Sequence, residues 1–164
     1  MIDMIRWCAV GLIMLSAILL GREYSAYADR QVREQAGFIA LLLHIERRIG
    51  HSLSYGSDLW RGFSDPDLEK CGFLPLLSEG FSPRDAFAKS SRKLALSGEI
   101  KEMLLVFFSD FGKGYKDGEI KGIERLRGEL ESDLNAIRPE LEKNKKVINA
   151  LLLGGAASAA IMLI

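Results

Sequence analysis

The side chains that most often carry chemistry in proteins are few in this sequence, and their spacing does not form a catalytic or metal-binding set. His44 and His51 are the only histidines, and we expect Gly50 to separate their helices. No cysteine or carboxylate beside them completes a ligand set for a metal. Ser90 and Ser91 lack the histidine and aspartate pattern that activates a serine nucleophile. The sequence therefore predicts no catalytic residues and no metal site.

Other candidate motifs have structural explanations. The Gly112-Lys113-Gly114 tripeptide follows a helical pattern and lacks the G-x-x-x-x-G-K-[ST] spacing of a phosphate loop, so it indicates a helix end. Cys8 lies in an apolar run and Cys71 in a polar region, which indicates neither a disulfide nor a metal site. The chain has 22 basic and 22 acidic residues, and a net charge of zero gives no reason to expect nucleic acid. We expect a non-enzymatic protein without a cofactor.

The last eighteen residues, 147–164, carry no charge. They directly follow three cations, Lys143, Lys145 and Lys146. As a helix this run would be ~27 Å long, close to the ~30 Å hydrocarbon core of a bilayer. Small residues recur four apart in it, as Gly154 with Ser158 and Gly155 with Ala159. This spacing lets membrane helices approach closely, and we predict a transmembrane helix here. A buried core helix is the alternative.

The first 21 residues supply a second apolar segment. Residues 7–21 are uncharged, and Ile2, Met4 and Ile5 extend the apolar stretch. Ala17 and Gly21 repeat the four-residue spacing of small side chains. We predict a transmembrane helix over residues 1–21 that pairs with the C-terminal one in a hairpin.

A cleaved signal peptide is the competing interpretation of the N-terminal segment. Ala26-Tyr27-Ala28 before Asp29 matches the A-x-A cleavage pattern. Arg22 and Glu23 would then lie between the apolar region and the cleavage site, where uncharged residues are usual. This charge placement favours a retained anchor, and the alternative is an exported protein anchored at its C-terminus.

The cations that flank the two apolar segments predict their orientation. Seven cations adjoin them on the side of the middle segment, and Arg6 is the only one on the outer side. The seven are Arg22, Arg30, Arg33, Arg138, Lys143, Lys145 and Lys146. The positive-inside rule therefore predicts an integral membrane protein with residues 22–146 in the cytoplasm and both termini outside.

The middle segment has the periodicity of helices throughout. Apolar residues at three- and four-residue steps predict one helix from Arg22 to about Ile49 and another from about Asp117 through Pro139. Capping signals predict shorter helices that follow Asp65-Pro66, Ser82-Pro83 and Ser97, with the second running from Pro83 to about Leu96. No segment alternates like a strand. The expected fold is an all-α helical bundle flanked by transmembrane helices.

Glu46 is the charged side chain that we expect to be buried. With Ile39 placed at zero around the helix, the apolar arc runs from about 240° through zero to about 60°, and Glu46 falls near ~340°, inside it. A buried carboxylate needs a partner, and Arg84 and Arg92 are the candidates. Glu34 is expected to be solvent-exposed on the same helix. The alternative for Glu46 is a solvated position where the helix extends past the core.

Several ordered motifs are similar to those of the stage III sporulation protein AB family of endospore-forming bacteria. They lie between the two apolar segments in the family's order, and no single one is specific. They are Arg30-x-x-Arg33, Leu42-x-x-Ile45-Glu46-x-x-Ile49, Phe63-Ser64-Asp65-Pro66, Cys71-Gly72-Phe73-Leu74 and Phe108-x-x-Phe111-Gly112. The chain departs from the family at Ser54-Tyr55-Gly56, where a Thr-Pro-Leu-like turn is common, and at Glu119, which aligns with a glutamine.

The resemblance implies a non-enzymatic component of the channel or secretion-like complex built between mother cell and forespore. The family's soluble domain is similar to that of the inner-membrane platform protein of type II secretion systems, which works beside a cytoplasmic ATPase. The implied partners are therefore a cytoplasmic sporulation ATPase and other membrane proteins of the complex. Assembly into a homo-oligomer is left open. Glu46, Arg30 and Arg33 are the candidate buried or interface charges.

Overall fold

The computed structural model describes residues 2–51 and 57–163, and every regular element in this part of the chain is helical. A helix of 50 residues, α1 (Ile2–His51), begins the fold. Four shorter helices follow: α2 (Pro66–Lys70), α3 (Phe73–Ser78), α4 (Pro83–Ser90) and α5 (Gly98–Asp110). A helix of 48 residues, α6 (Lys116–Leu163), ends it and runs through Pro139. The prediction of an all-helical chain is confirmed for the described residues.

The chain divides into two compact units. The terminal unit consists of Met1–Asp29 and Ile137–Ile164, and the central unit is Arg30–Ala136. Each of the long helices α1 and α6 therefore contributes to both units. The boundaries at residues 21/22 and 146/147 expected from hydropathy concern the membrane, and they stay predictions.

One described helix is long and apolar enough to cross a membrane by its length and composition. It is the part of α1 from Cys8 to Gly50, with a mean hydropathy of 1.4 in its eighteen-residue apolar window, of which 11% is buried. An N-terminal signal sequence can meet the same criteria of length and composition. The second span at 147–164 and the orientation of both segments stay predictions.

Capping residues begin the short helices where the sequence predicts. Asp65 Oδ1 accepts hydrogen bonds from the backbone N–H groups of Asp67 and Leu68 at 3.0 and 2.9 Å, at the start of α2. Ser82 Oγ accepts one from Asp85 N at 3.1 Å at the start of α4. These contacts satisfy N–H groups that have no partner within their own helix.

Two predicted helix ends were wrong. α1 continues through Gly50 to His51, so no break separates the histidines. α4 ends at Ser90 rather than near Leu96, and a 3₁₀ turn, Ser91–Lys93, follows it. Ser90 Oγ donates to the Phe87 carbonyl at 3.2 Å, a local bond that competes with helix continuation. After the 3₁₀ turn, three consecutive residues are buried, which a helix with one buried face cannot provide: Leu94, Ala95 and Leu96.

Four phenylalanine rings form the centre of the core. Phe38 of α1 lies 5.5 Å from Phe73 of α3, 5.7 Å from Phe87 of α4 and 6.4 Å from Phe108 of α5, measured between ring centroids. The Phe73 and Phe108 rings are 5.3 Å apart. All four rings are buried. Tilted and edge-on contacts of this kind are favourable between aromatic rings beyond the area that they bury.

We expect Phe38→Ala to destabilise the full chain in detergent by about 3–5 kcal/mol, because it removes a ring that three other rings contact. Thermal or denaturant-induced unfolding measures this loss. Val106→Ala is the control, since the Val106 side chain is 58% exposed and should change stability by about 0.5 kcal/mol or less. Equal losses in the two variants would contradict the central place of Phe38.

Candidate functional site

Polar side chains of α1 connect this helix to the other elements of the central unit. Glu34 carries the most deeply buried charge among them, with no exposed surface. Its Oε2 accepts a hydrogen bond from the Ala95 N–H at 2.5 Å, and its Oε1 accepts one from Arg30 Nε at 2.7 Å. Arg30 also donates to the Lys93 carbonyl. The pair therefore fixes the irregular segment between α4 and α5 against α1.

Burial raises the pKa of the Glu34 carboxyl above its ordinary value. The hydrogen bonds from Ala95 and Arg30 act in the opposite direction, because they stabilise the ionised form. Removal from water is the larger effect. Burial thus disfavours the ionised form of the Glu34 carboxyl, and its two hydrogen-bond donors reduce that penalty.

Two further polar residues connect α1 to α2 and α6. Arg33 Nε donates to Asp67 Oδ2 at 3.0 Å. Gln35 is fully buried, and its Nε2 donates to the Leu130 carbonyl at 3.0 Å and to Asp133 Oδ2 at 2.8 Å. A buried amide with two fixed acceptors specifies how α1 and α6 are aligned within the central unit.

The expected partners of Glu46 and the expected exposure of Glu34 were both wrong. Glu46 Oε2 lies 3.3 Å from Nη1 of Arg127 on α6, without hydrogen-bond geometry, rather than beside Arg84 or Arg92. The side chains of Glu46 and Arg127 are 23% and 27% exposed. Glu46 is therefore a charge at the margin of the core, and Glu34 is the carboxylate inside it.

The error lies in the rotation assigned to α1. With Ile39 at zero, the sequence analysis assigned an apolar arc whose midpoint lies at about 330°, whereas the structure centres the buried face near Phe38, at about 260°. Glu34 is then about 40° from the centre and Glu46 about 80° from it. Ile39 is only half-buried. Centring the arc on the Phe38, Leu41 and Ile45 set would have placed Glu34 inside.

Glu119 holds the connection between α5 and α6. Its Oε1 accepts hydrogen bonds from the N–H groups of Gly112 and Gly114 at 3.0 and 2.8 Å. Gly112 has φ 85°, a left-handed conformation that favours glycine. A glutamine Oε1 is also an acceptor, so the departure from the family at this position preserves the contact. The Ser54-Tyr55-Gly56 departure lies outside the described residues.

The histidine and cysteine side chains of the central unit have structural surroundings. The His44 ring lies 5.5 Å from the Phe63 ring. Cys71 is buried, its Sγ donates to the Leu68 carbonyl at 3.2 Å, and burial raises the pKa of its thiol. A thiol with a raised pKa is a poor nucleophile. Within residues 2–51 and 57–163, no group of three histidine, cysteine or carboxylate side chains is placed to hold a metal.

In the terminal unit, only some of the predicted packing residues lie at a contact between helices. Ala17 and Gly21 are buried, and a Cβ atom at Gly21 would collide with the Asn149 side chain of α6. Gly154 and Gly155 have open space around them. Ser158 is exposed and Ala159 half-buried. The contact between the two helices thus uses small residues of α1, whereas a Cβ atom at Gly154 or Gly155 of α6 would meet no other atom within 4 Å.

The model of one protein family matches a large part of the sequence. The stage III sporulation protein AB family matches residues 77–164, which is more than half of the 164 residues. The chain belongs to this family. No curated protein and no solved structure gives a significant match.

The family match confirms the resemblance and gives the chain a role in stage III of sporulation. The family is not known as one of enzymes. The matched range includes Glu119, Ala95 and the Phe108-x-x-Phe111-Gly112 motif. The motifs of α1, including Glu46, lie before it. The sporulation assignment therefore rests on the part of the chain from α3 onward.

We expect Glu34→Ala to destabilise the full chain by about 2–4 kcal/mol, because it leaves the buried Ala95 N–H without an acceptor and removes the partner of Arg30. Glu46→Ala should cost about 1 kcal/mol or less, since its ion pair is partly solvated. Denaturant-induced unfolding in detergent compares the two variants. A larger loss for Glu46→Ala would show that the rotation of α1 is not the one described.

The raised pKa of Glu34 also predicts a pH dependence. Between the ordinary value of 4.5 and the higher folded-state pKa, the folded chain binds more protons than the unfolded chain. The contribution of Glu34 to stability therefore falls as the pH rises through this window. The free energy of unfolding of the wild type, minus that of Glu34→Gln, should be larger at pH 4.5 than at pH 7. A difference that is constant or has the opposite slope would refute this assignment.

Proposed function

We propose that the chain is a non-enzymatic membrane platform of the channel or secretion-like complex between mother cell and forespore. The observation that carries the proposal is the family match over residues 77–164. In the proposed arrangement residues 1–21 and 147–164 span the membrane with both termini outside, and residues 22–146 lie in the cytoplasm. The apolar part of α1 supports the first of these spans.

The cytoplasmic part docks an ATPase in this proposal. Exposed charges on α1 and α6, including Lys121 on α6, supply the contact surface. Gly154 and Gly155 have open space around them. Together with Ser158 and Ala159 they are proposed to face a spanning helix of another subunit, because small side chains permit close approach in the membrane. Arg33 and Glu46 keep the proposed role of interface charges on the cytoplasmic part of α1.

The proposal is tested by affinity purification of the full chain, in mild detergent, from sporulating cells. We expect an ATPase to co-purify and Lys121→Glu to lower its recovery several-fold, because an interfacial charge is reversed. Arg84→Glu is the control: it reverses an exposed cation on α4, a helix outside the proposed contact surface. Purification without any ATPase would overturn the docking function.

The membrane topology of the chain distinguishes the cytoplasmic platform from the exported alternative. It takes Ala26-Tyr27-Ala28 as a signal cleavage site, although Ala28 is a buried residue within the continuous helix α1. A reporter that is active only outside the cytoplasm, inserted after the exposed Gly80, should be inactive in the full chain. An active reporter, or a mature chain that begins at Asp29, would favour the exported protein.

A further inference from the structure

A groove with a volume of 620 Å³ runs between α5 and α6. Residues of α5 from Glu99 to Asp110 line one side of it, and residues of α6 from Gly118 to Glu129 line the other. On each helix the lining residues recur at three- and four-residue steps, which place them on one face. Each stretch covers about three turns, or roughly 16 Å. A groove with a helical wall of this length on each side matches a third helix of three to four turns.

The floor of the groove is apolar and open. Met103 and Phe107 are half-buried, and Val106 is exposed although its side chain is apolar. On the opposite wall, a Cβ atom at Gly118 or at Gly122 would meet no other atom within 4 Å. Glycine is less stable than alanine inside a helix, so two glycines that face the groove weaken α6 and at the same time widen the space beside Val106.

The rim of the groove is acidic. Five carboxylates and two cations line it, giving a formal charge of −3 in a chain whose net charge is zero. Glu119 is engaged with the α5–α6 connection and Asp110 with Lys113. In the described part of the chain, no ion pair or hydrogen bond engages the carboxylates of Glu99, Glu102 and Glu129. The rim therefore has an excess of carboxylates that its own cations, Lys113 and Arg125, do not balance, and it complements basic side chains of a partner.

We propose that this groove binds a basic amphipathic helix of a partner protein in the complex. The apolar face of that helix covers Val106 and Phe107, and its lysine or arginine side chains pair with Glu102 and Glu129. An amphipathic helix that lays its apolar face in a groove is a common mode of recognition, and charge complementarity fixes its orientation. The inference rests on the proposed function in one respect, since it requires that the chain assembles with other proteins.

Site-specific photo-cross-linking in sporulating cells tests the proposal on the full chain. A photoreactive amino acid at Val106 should cross-link to a partner protein, and mass spectrometry should map the cross-link to a helix with apolar and basic faces. The same amino acid at Glu124, exposed on α6 outside the groove, is the control position. Cross-links at Val106 to a second copy of this chain, only to lipid, to a segment without basic residues, or no stronger than at Glu124 would overturn the proposal.

Filling the groove separates binding from folding. Gly118→Leu with Gly122→Leu should lower the Val106 cross-link at least about tenfold, while leucine, a better helix former than glycine, preserves α6. Gly128→Leu is the matched control, because Gly128 also has open space but lies outside the groove. Equal cross-linking in all three proteins would overturn the proposal.

The charge requirement is tested by Glu102→Lys with Glu129→Lys, which should lower the cross-link about tenfold, while Glu102→Gln with Glu129→Gln should lower it less. An unchanged cross-link in the lysine variant would refute the basic partner. ATPase recovery is measured in parallel with the same samples. If an ATPase still co-purifies when Val106 gives no cross-link, the groove proposal fails and the platform function stands. If no ATPase is recovered while the Val106 cross-link persists, the platform function fails and the groove proposal stands.

Discussion

The contact of the Phe38 ring with the rings of Phe73, Phe87 and Phe108 is the constraint on which the central unit depends. Helices α2 to α5 contain between 5 and 13 residues, and isolated helices of fewer than about 12–15 residues are marginal in water. Their stability must come from burial against a longer element. α1 supplies that element, and the Phe38 ring is where three of the short elements meet it.

Placing Phe38 inward determines which charged residue of α1 enters the core. Glu34 lies one turn before Phe38, on the same face, so its carboxylate is buried with the ring. The chain between α4 and α5 is buried as well but is extended at Leu94, so its backbone groups lack helical partners. The Glu34 carboxylate accepts the Ala95 N–H. This one hydrogen bond therefore reduces both the cost of burying the Glu34 charge and the cost of burying the irregular segment.

Local structure, such as a helix cap, could be predicted from the sequence, and contacts between residues far apart in the sequence could not. Asp65 and Ser82 begin helices because a cap needs only its own next three residues, and both were predicted. The rotation of α1 depends on rings that come 35 or more residues later, so the direction of its buried face was open to error. The burial of Leu94, Ala95 and Leu96 has the same origin, since it requires α1 beside them. Arg127 was missed as the partner of Glu46 because 81 residues separate the two in the sequence.

The apolar stripe of α5 shows how one sequence feature can serve two purposes. Ile100, Leu104 and Phe108 of this stripe are buried in the core. Met103 and Val106 extend the apolar surface of this helix on the side that faces the groove. The core alone does not require an exposed valine there, and the facing glycines of α6 leave that side without packing. Because Glu119 fixes the connection between α5 and α6 at the end of the groove, the two walls are held in place before any partner arrives. A partner helix then loses less conformational freedom on binding than it would against a flexible surface.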